Sequence, residues 1–142
     1  MASSEHATLL VLHGGLLLFV GMAVGVPYAL AAIADAGSEA AANWRVAHVQ
    51  NLQNGMLLLL VAACSSYLAL STSAFQAMTW ILVVAAYCDM VGWFVRAMTG
   101  HRGLEPKPPA ANLLVCALFG LTALGQFVGI LVFIFGAWRA LG

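Results

Sequence analysis

Apolar side chains in this chain neither alternate nor recur on a single helical face. They run together in four blocks, at about 7–34, 41–71, 76–99 and 110–140. Each block exceeds the roughly 20 residues that a helix needs to cross a bilayer, so the pattern predicts four spanning helices. The intervening stretches, 35–40, 72–75 and 100–109, are short, and only the last carries a strong break, Lys107-Pro108-Pro109. Links that brief turn consecutive helices antiparallel. The expected fold class is an all-α integral membrane protein, an antiparallel four-transmembrane-helix bundle forming a single membrane domain over 1–142. The first block carries Glu5 and no basic residue at its start, and its apolar stretch is too long for a cleavable signal peptide. It is expected to be retained as a helix.

Composition sharpens the class. The chain is 63% hydrophobic and 7% charged, against about 25% charged in a typical soluble domain, so a water-soluble globule is excluded. Five basic and five acidic residues leave no net charge, which argues against a nucleic-acid binder; the expected partner is the lipid bilayer. Arg45, Arg96, Arg102 and Lys107 cluster at one end of the predicted helices and Arg139 at the other. That asymmetry puts the 35–40 and 100–109 loops in the cytoplasm, with a bacterial inner membrane as the expected location. Cys64, Cys88 and Cys116 sit on separate apolar blocks without redox or haem-attachment spacing. Gly21 with Gly25, and Gly125 with Gly129, form G-x-x-x-G pairs suited to close helix approach.

The few polar residues inside the blocks therefore carry the chemistry. The second block opens with Asn43, Trp44, Arg45, His48, Gln50, Asn51, Gln53 and Asn54 before turning apolar at Met56. At about 100° per residue, His48, Asn51 and Asn54 fall within an arc of about 120°. Gly55 beside them leaves room for a flat ligand or another backbone. On the third block Asp89, Trp93 and Arg96 share a face at i, i+4 and i+7, and counting back from Thr99 brings them to similar depth. A lone carboxylate at mid-bilayer costs at least ~2.5–3.5 kcal/mol on insertion scales, so Asp89 is expected to meet Arg96, Arg45, or the amides of Asn51 and Asn54. Blander readings stand beside these: His48 as an interfacial residue, Asp89–Arg96 as a structural ion pair, and His13 hydrogen-bonded to Gln126. His6 and His101 are expected to be solvated.

No zinc-protease, nucleophile-elbow or phosphate-loop motif occurs, and no cluster of ligands could hold a bare metal. A single buried histidine is enough for axial ligation of haem, which brings four nitrogens of its own and needs an oriented neutral imidazole in an apolar slot. Ferric haem with an open position is a Lewis acid.

The run Trp44-Arg45-Val46-Ala47-His48, followed after five residues by Asn54-Gly55-Met56, occurs with His13-Gly14 upstream and Arg102-Gly103-Leu104 downstream. In order and spacing this resembles the styrene oxide isomerases and the related hydroxylaminobenzene mutases. The resemblance implies a homotrimer with haem b at subunit interfaces and His48 as axial iron ligand; Arg45, Asn51 and Gly55, close to His48 along the second block, are expected around the cofactor. It further implies that Asn54 orients the substrate; Asp89 and Trp93, at similar depth on the third block, are expected to be catalytic beside it. The implied reaction is a redox-neutral Meinwald rearrangement of a small hydrophobic aromatic epoxide to an aldehyde. The sequence departs from that pattern where Trp93 stands at the position of an expected tyrosine, with Tyr87 about 120° away around the helix. The alternative activity is therefore the mutase one, converting an arylhydroxylamine to an aminophenol. A haem electron-transfer protein and a non-enzymatic scaffold or small transporter are the competing classes.

Overall fold

The computed structural model describes residues 2–142, with side chains from residue 5 onward. Four long helices follow one another: α1 Ala2–Asp35, α2 Glu39–Ala63, α3 Thr72–Thr99 and α4 Ala110–Arg139. The described residues contain no strand. At about 1.5 Å per residue every helix exceeds the ~30 Å hydrocarbon core of a bilayer. Three also hold an 18-residue stretch apolar enough to cross it, with mean hydropathies of 2.3 in α1 (Glu5–Asp35), 1.7 in α3 and 2.2 in α4. The fourth, α2, has the length without the composition, because its first half carries the polar run from Asn43 to Asn54. Three of the four expected spans thus have the composition as well as the length, and the remaining helix is half polar.

The helix ends follow local chemistry. Ser38 caps α2, accepting from the Ala41 N–H at 3.1 Å, and Ser71 caps α3 in the same way through Ala74 at 3.2 Å. Gly100 ends α3 in the left-handed region at φ 73° and returns its N–H to the Arg96 carbonyl. The second block, expected to be helical to residue 71, stops at Ala63. Ser65 and Ser66 offer hydroxyls that compete for the backbone, and a 3-10 turn, Ser65–Tyr67, follows. The chain then leaves the helix, with Ala69 N–H donating to the Gly136 carbonyl at 3.0 Å. This shorter α2 lets α3 begin at Thr72, four residues earlier than its apolar block.

Side-chain register shows that neighbouring helices run antiparallel. Down α1, Gly14, Gly21 and Gly25 face Leu59, Leu52 and His48 of α2 in turn. Up α3, Leu82, Ala85 and Gly92 face Gly129, Gly125 and Phe119 of α4. Asn43 meets Arg96 and Asn54 meets Asp89, which reverses α3 against α2. The densest packing joins α1 to α2 and α3 to α4. Both G-x-x-x-G pairs lie in these seams, where a Cβ on Gly129 would sit 2.4 Å from Leu82. Leu10, Leu17, Leu58, Met78 and Leu82 fill the apolar core, while Phe19, Met22, Leu30 and Ile33 of α1 and Phe127 and Leu124 of α4 point outward. An outward apolar surface on this scale suits lipid rather than water.

A rigid connection closes the α3–α4 pair. The Asn112 side chain accepts from the Gly103 N–H at 2.9 Å and donates to the carbonyls of Glu105 and Lys107, both at 2.8 Å. Gly103 needs its φ of 64° there, and a Cβ would lie 2.5 Å from Val115. Arg102 reaches Glu39 at the start of α2 at 3.6 Å, and Lys107 pairs with Glu105.

Candidate functional site

The polar arc of α2 straddles two neighbours. Its His48 edge faces α1 and its Asn54 edge faces α3 and α4, so the continuous stripe read from the helical wheel divides into two stations.

At the first station, His48 Nδ1 donates to the Gly21 carbonyl at 2.7 Å. A carbonyl only accepts, so the neutral ring carries its proton on Nδ1 and keeps the lone pair on Nε2. No described residue bonds Nε2. The ring stacks on Tyr28, with centroids 6.2 Å apart and planes 24° from parallel. Gly25 leaves the other approach clear: a Cβ there would sit 3.3 Å from His48 Cε1. An imidazole oriented by a backbone carbonyl and half-buried with an unbonded Nε2 is the donor that haem iron requires. The residues present therefore fit that group. No cluster of three or more His, Cys, Asp or Glu able to hold a metal ion occurs among the described residues.

The second station is a buried chain of amides and a carboxylate. Asn54 Nδ2 donates to Asp89 Oδ2 at 2.7 Å, Trp93 Nε1 donates to Asp89 Oδ1 at 3.1 Å, and Gln126 Nε2 donates to Asn54 Oδ1 at 2.8 Å. Asn54 is 5% and Asp89 6% exposed. Among the described residues no cation pairs with Asp89. Trp93 lies between two neighbours, with the Phe119 ring 4.8 Å away and the Arg96 guanidinium carbon 4.9 Å over its face. Two neutral donors thus hold a carboxylate away from water, an arrangement costly enough inside a membrane to mark a functional site.

Several expectations are corrected by these contacts. Arg96 does not reach Asp89; its Nε donates to Asn43 Oδ1 at 3.3 Å, because the cation reaches up toward the helix end while the carboxylate lies nearly two turns deeper. Arg45 is exposed on the outer face of α2 and meets neither Asp89 nor His48. Asn51 is fully buried and donates to the Ala47 carbonyl of its own helix at 2.7 Å, leaving Oδ1 without a donor among the described residues. Of the two neighbours that Gly55 was expected to admit, a flat ligand or another backbone, the structure brings the backbone: a Cβ there would lie 2.8 Å from the Gly14 carbonyl oxygen. His13 pairs with Tyr87 OH at 3.0 Å instead of Gln126. Tyr87 is thereby turned away from Asp89 and supplies no hydroxyl to the second station. Gly21 and Gln126 complete the two stations, and neither role was visible in the helical spacing; the only signal was that each lay at the right depth on a facing helix.

Two surface grooves lie elsewhere. One of about 1070 Å³ runs between Ser66–Ala69 and the end of α4, and one of about 450 Å³ lies between Trp80 and Leu124 on the outer side of α3 and α4. A family model described as styrene oxide isomerase matches residues 6–138. No curated protein matches.

Proposed function

The chain belongs to the styrene oxide isomerase family, and from that membership we propose that it is a membrane-embedded, haem b-dependent isomerase of small aromatic epoxides. One observation carries the reading: His48 is oriented by the Gly21 carbonyl and left with a free lone pair on Nε2. When bound, ferric haem would supply a Lewis acid for the oxygen of the substrate.

The chain's own residues would do the rest. Asn54 has a second Nδ2 hydrogen beyond the one given to Asp89, and a donor fixed in place before reaction is best used on an oxygen gaining negative charge. Asp89 holds the plane of that amide, and Trp93 holds Asp89 from the far side. Trp93, Phe119 and Trp44 provide apolar walls that exclude water, which would otherwise add to the carbocation and divert it to a diol. The rearrangement breaks the benzylic C–O bond, shifts a hydride to that carbon and forms the carbonyl. Atoms and oxidation state balance without a co-reactant.

The two stations lie on opposite edges of α2, so the reading includes a homotrimer in which a second copy covers the half-buried His48. It also includes residence in a bacterial inner membrane. A second reading is favoured by Trp93, whose indole N–H is engaged by Asp89 and which brings no hydroxyl to the site. In that reading the substrate is an arylhydroxylamine, whose N–O bond breaks as a hydroxyl appears on the ring. Membranes incubated in parallel with styrene oxide and phenylhydroxylamine separate the two. Phenylacetaldehyde supports the first reading, aminophenol the second, and neither product from haem-loaded protein overturns both.

A further inference from the structure

Gln126 stands on α4, whose backbone is drawn against α3 by Gly125 and Gly129; a Cβ on Gly125 would lie 2.8 Å from that of Ala85. From there its side chain reaches past α3 to α2 and donates to Asn54 Oδ1 at 2.8 Å. An asparagine amide has two nearly equivalent orientations about its last torsion, and the one adopted here is held from both ends. Turning Asn54 over would set its oxygen against the Asp89 carboxylate and its NH₂ against the Gln126 NH₂. Asp89 alone penalises only one of those clashes.

We propose that Gln126 is a positioning residue that locks the Asn54 amide so that its remaining Nδ2 hydrogen faces the reacting oxygen; this rests on the reading of Asn54 as the substrate-oxygen donor. Every hydrogen bond in the sequence Gln126, Asn54, Asp89 points toward the carboxylate. Donation into Oδ1 also polarises the Asn54 amide and strengthens its N–H donors, as expected for chained hydrogen bonds. Without Gln126, a buried carbonyl oxygen is left bare, and the Asn54 amide is held from the Asp89 end alone.

The test uses haem-loaded protein in detergent with Gln126→Met, which keeps the length and removes the donor, and Gln126→Leu as the second variant. The expected result is a loss in kcat of about 10- to 100-fold, the scale of a small misplacement of a reacting group. KM, haem absorbance and melting temperature stay close to the parent. Added to Asn54→Ala, Gln126→Met lowers turnover no further, which a merely structural role would not produce. In protein carrying ¹⁵N-labelled asparagine, the Asn54 side-chain NH₂ pair, identified by its loss in Asn54→Ala, shifts in Gln126→Met. Unchanged kcat, a double variant well below Asn54→Ala, an unshifted amide pair, or failure of both single variants to fold would each overturn the proposal. Should the parent turn over neither substrate, the reading of Asn54 fails, and the amide spectrum by itself decides whether Gln126 sets its orientation.

Discussion

Asn54 and Asp89, 35 positions apart, meet at 2.7 Å between two helices, with no cation paired to the carboxylate among the described residues. The bond makes Asn54 the better-fixed partner and Asp89 its anchor. Asp89→Asn keeps the shape but can accept only one of the two incoming bonds at full strength, so turnover should fall about 100-fold. Thermal unfolding in detergent should change by no more than the ~1–3 kcal/mol of one unmet buried donor. Steady-state kinetics beside a melting curve checks both halves.

His48→Ala should yield folded, helical protein without the Soret band of the parent. Gly25→Val tests orientation without touching the ligand. Its side chain would press on an imidazole already 3.3 Å from the Cβ position, and haem affinity should drop by about 10- to 100-fold, the usual effect of disturbing the surroundings of a ligating histidine. Titration of apoprotein with haem, followed by absorbance, reads the difference.

Trp93→Phe keeps the aromatic wall against Phe119 and deletes the indole donor to Asp89. The carboxylate then leans on Asn54 alone, and kcat should fall about tenfold while KM for an aromatic substrate stays within a few-fold. Trp93→Leu removes the wall as well and should raise KM too. Product analysis of both variants would show whether diol appears, the sign that water has entered.

Gly55→Val should destabilise the α1–α2 seam by ~1–3 kcal/mol or more, the scale of overpacking a closed interface, because its Cβ would be 2.8 Å from a backbone oxygen. Gly15→Ala is the matched control. It has nothing within 4 Å of its Cβ position and should be neutral or slightly stabilising. Melting temperatures of the two variants check the contrast.

Much of this site was legible because wheel geometry is reliable within one helix. Asp89 and Trp93 were paired at i, i+4 from spacing alone and are hydrogen-bonded in the structure, and Asn54 was among the donors expected for Asp89. What spacing could not supply was the neighbour across each seam. The angle between His48 and Asn54 was right, yet whether both edges of that arc faced one helix or two depended on how closely Gly14 and Gly55 let α1 settle on α2. For the same reason Gln126 was matched to His13 when its reach was to Asn54, and Arg96 to Asp89 when Asn43 lay nearer. The overlong second helix was a different error: Leu68, Ala69 and Leu70 are as apolar as a helix interior, and only their docking on Gly136 shows that they are extended.

The Trp93–Asp89 bond also bears on how the chain enters the bilayer. Both residues belong to α3, one turn apart, so the carboxylate brings a donor with it before any neighbour has arrived. Synthesis runs from α1 to α4, which means that Asn54 precedes Asp89 and Gln126 follows it. The Asp89 carboxylate is thus partnered by its own helix at the moment of insertion, handed a second partner already waiting on α2, and sealed when α4 folds back. A donor carried only by α4 would have left that carboxylate short of a partner until the last helix arrived.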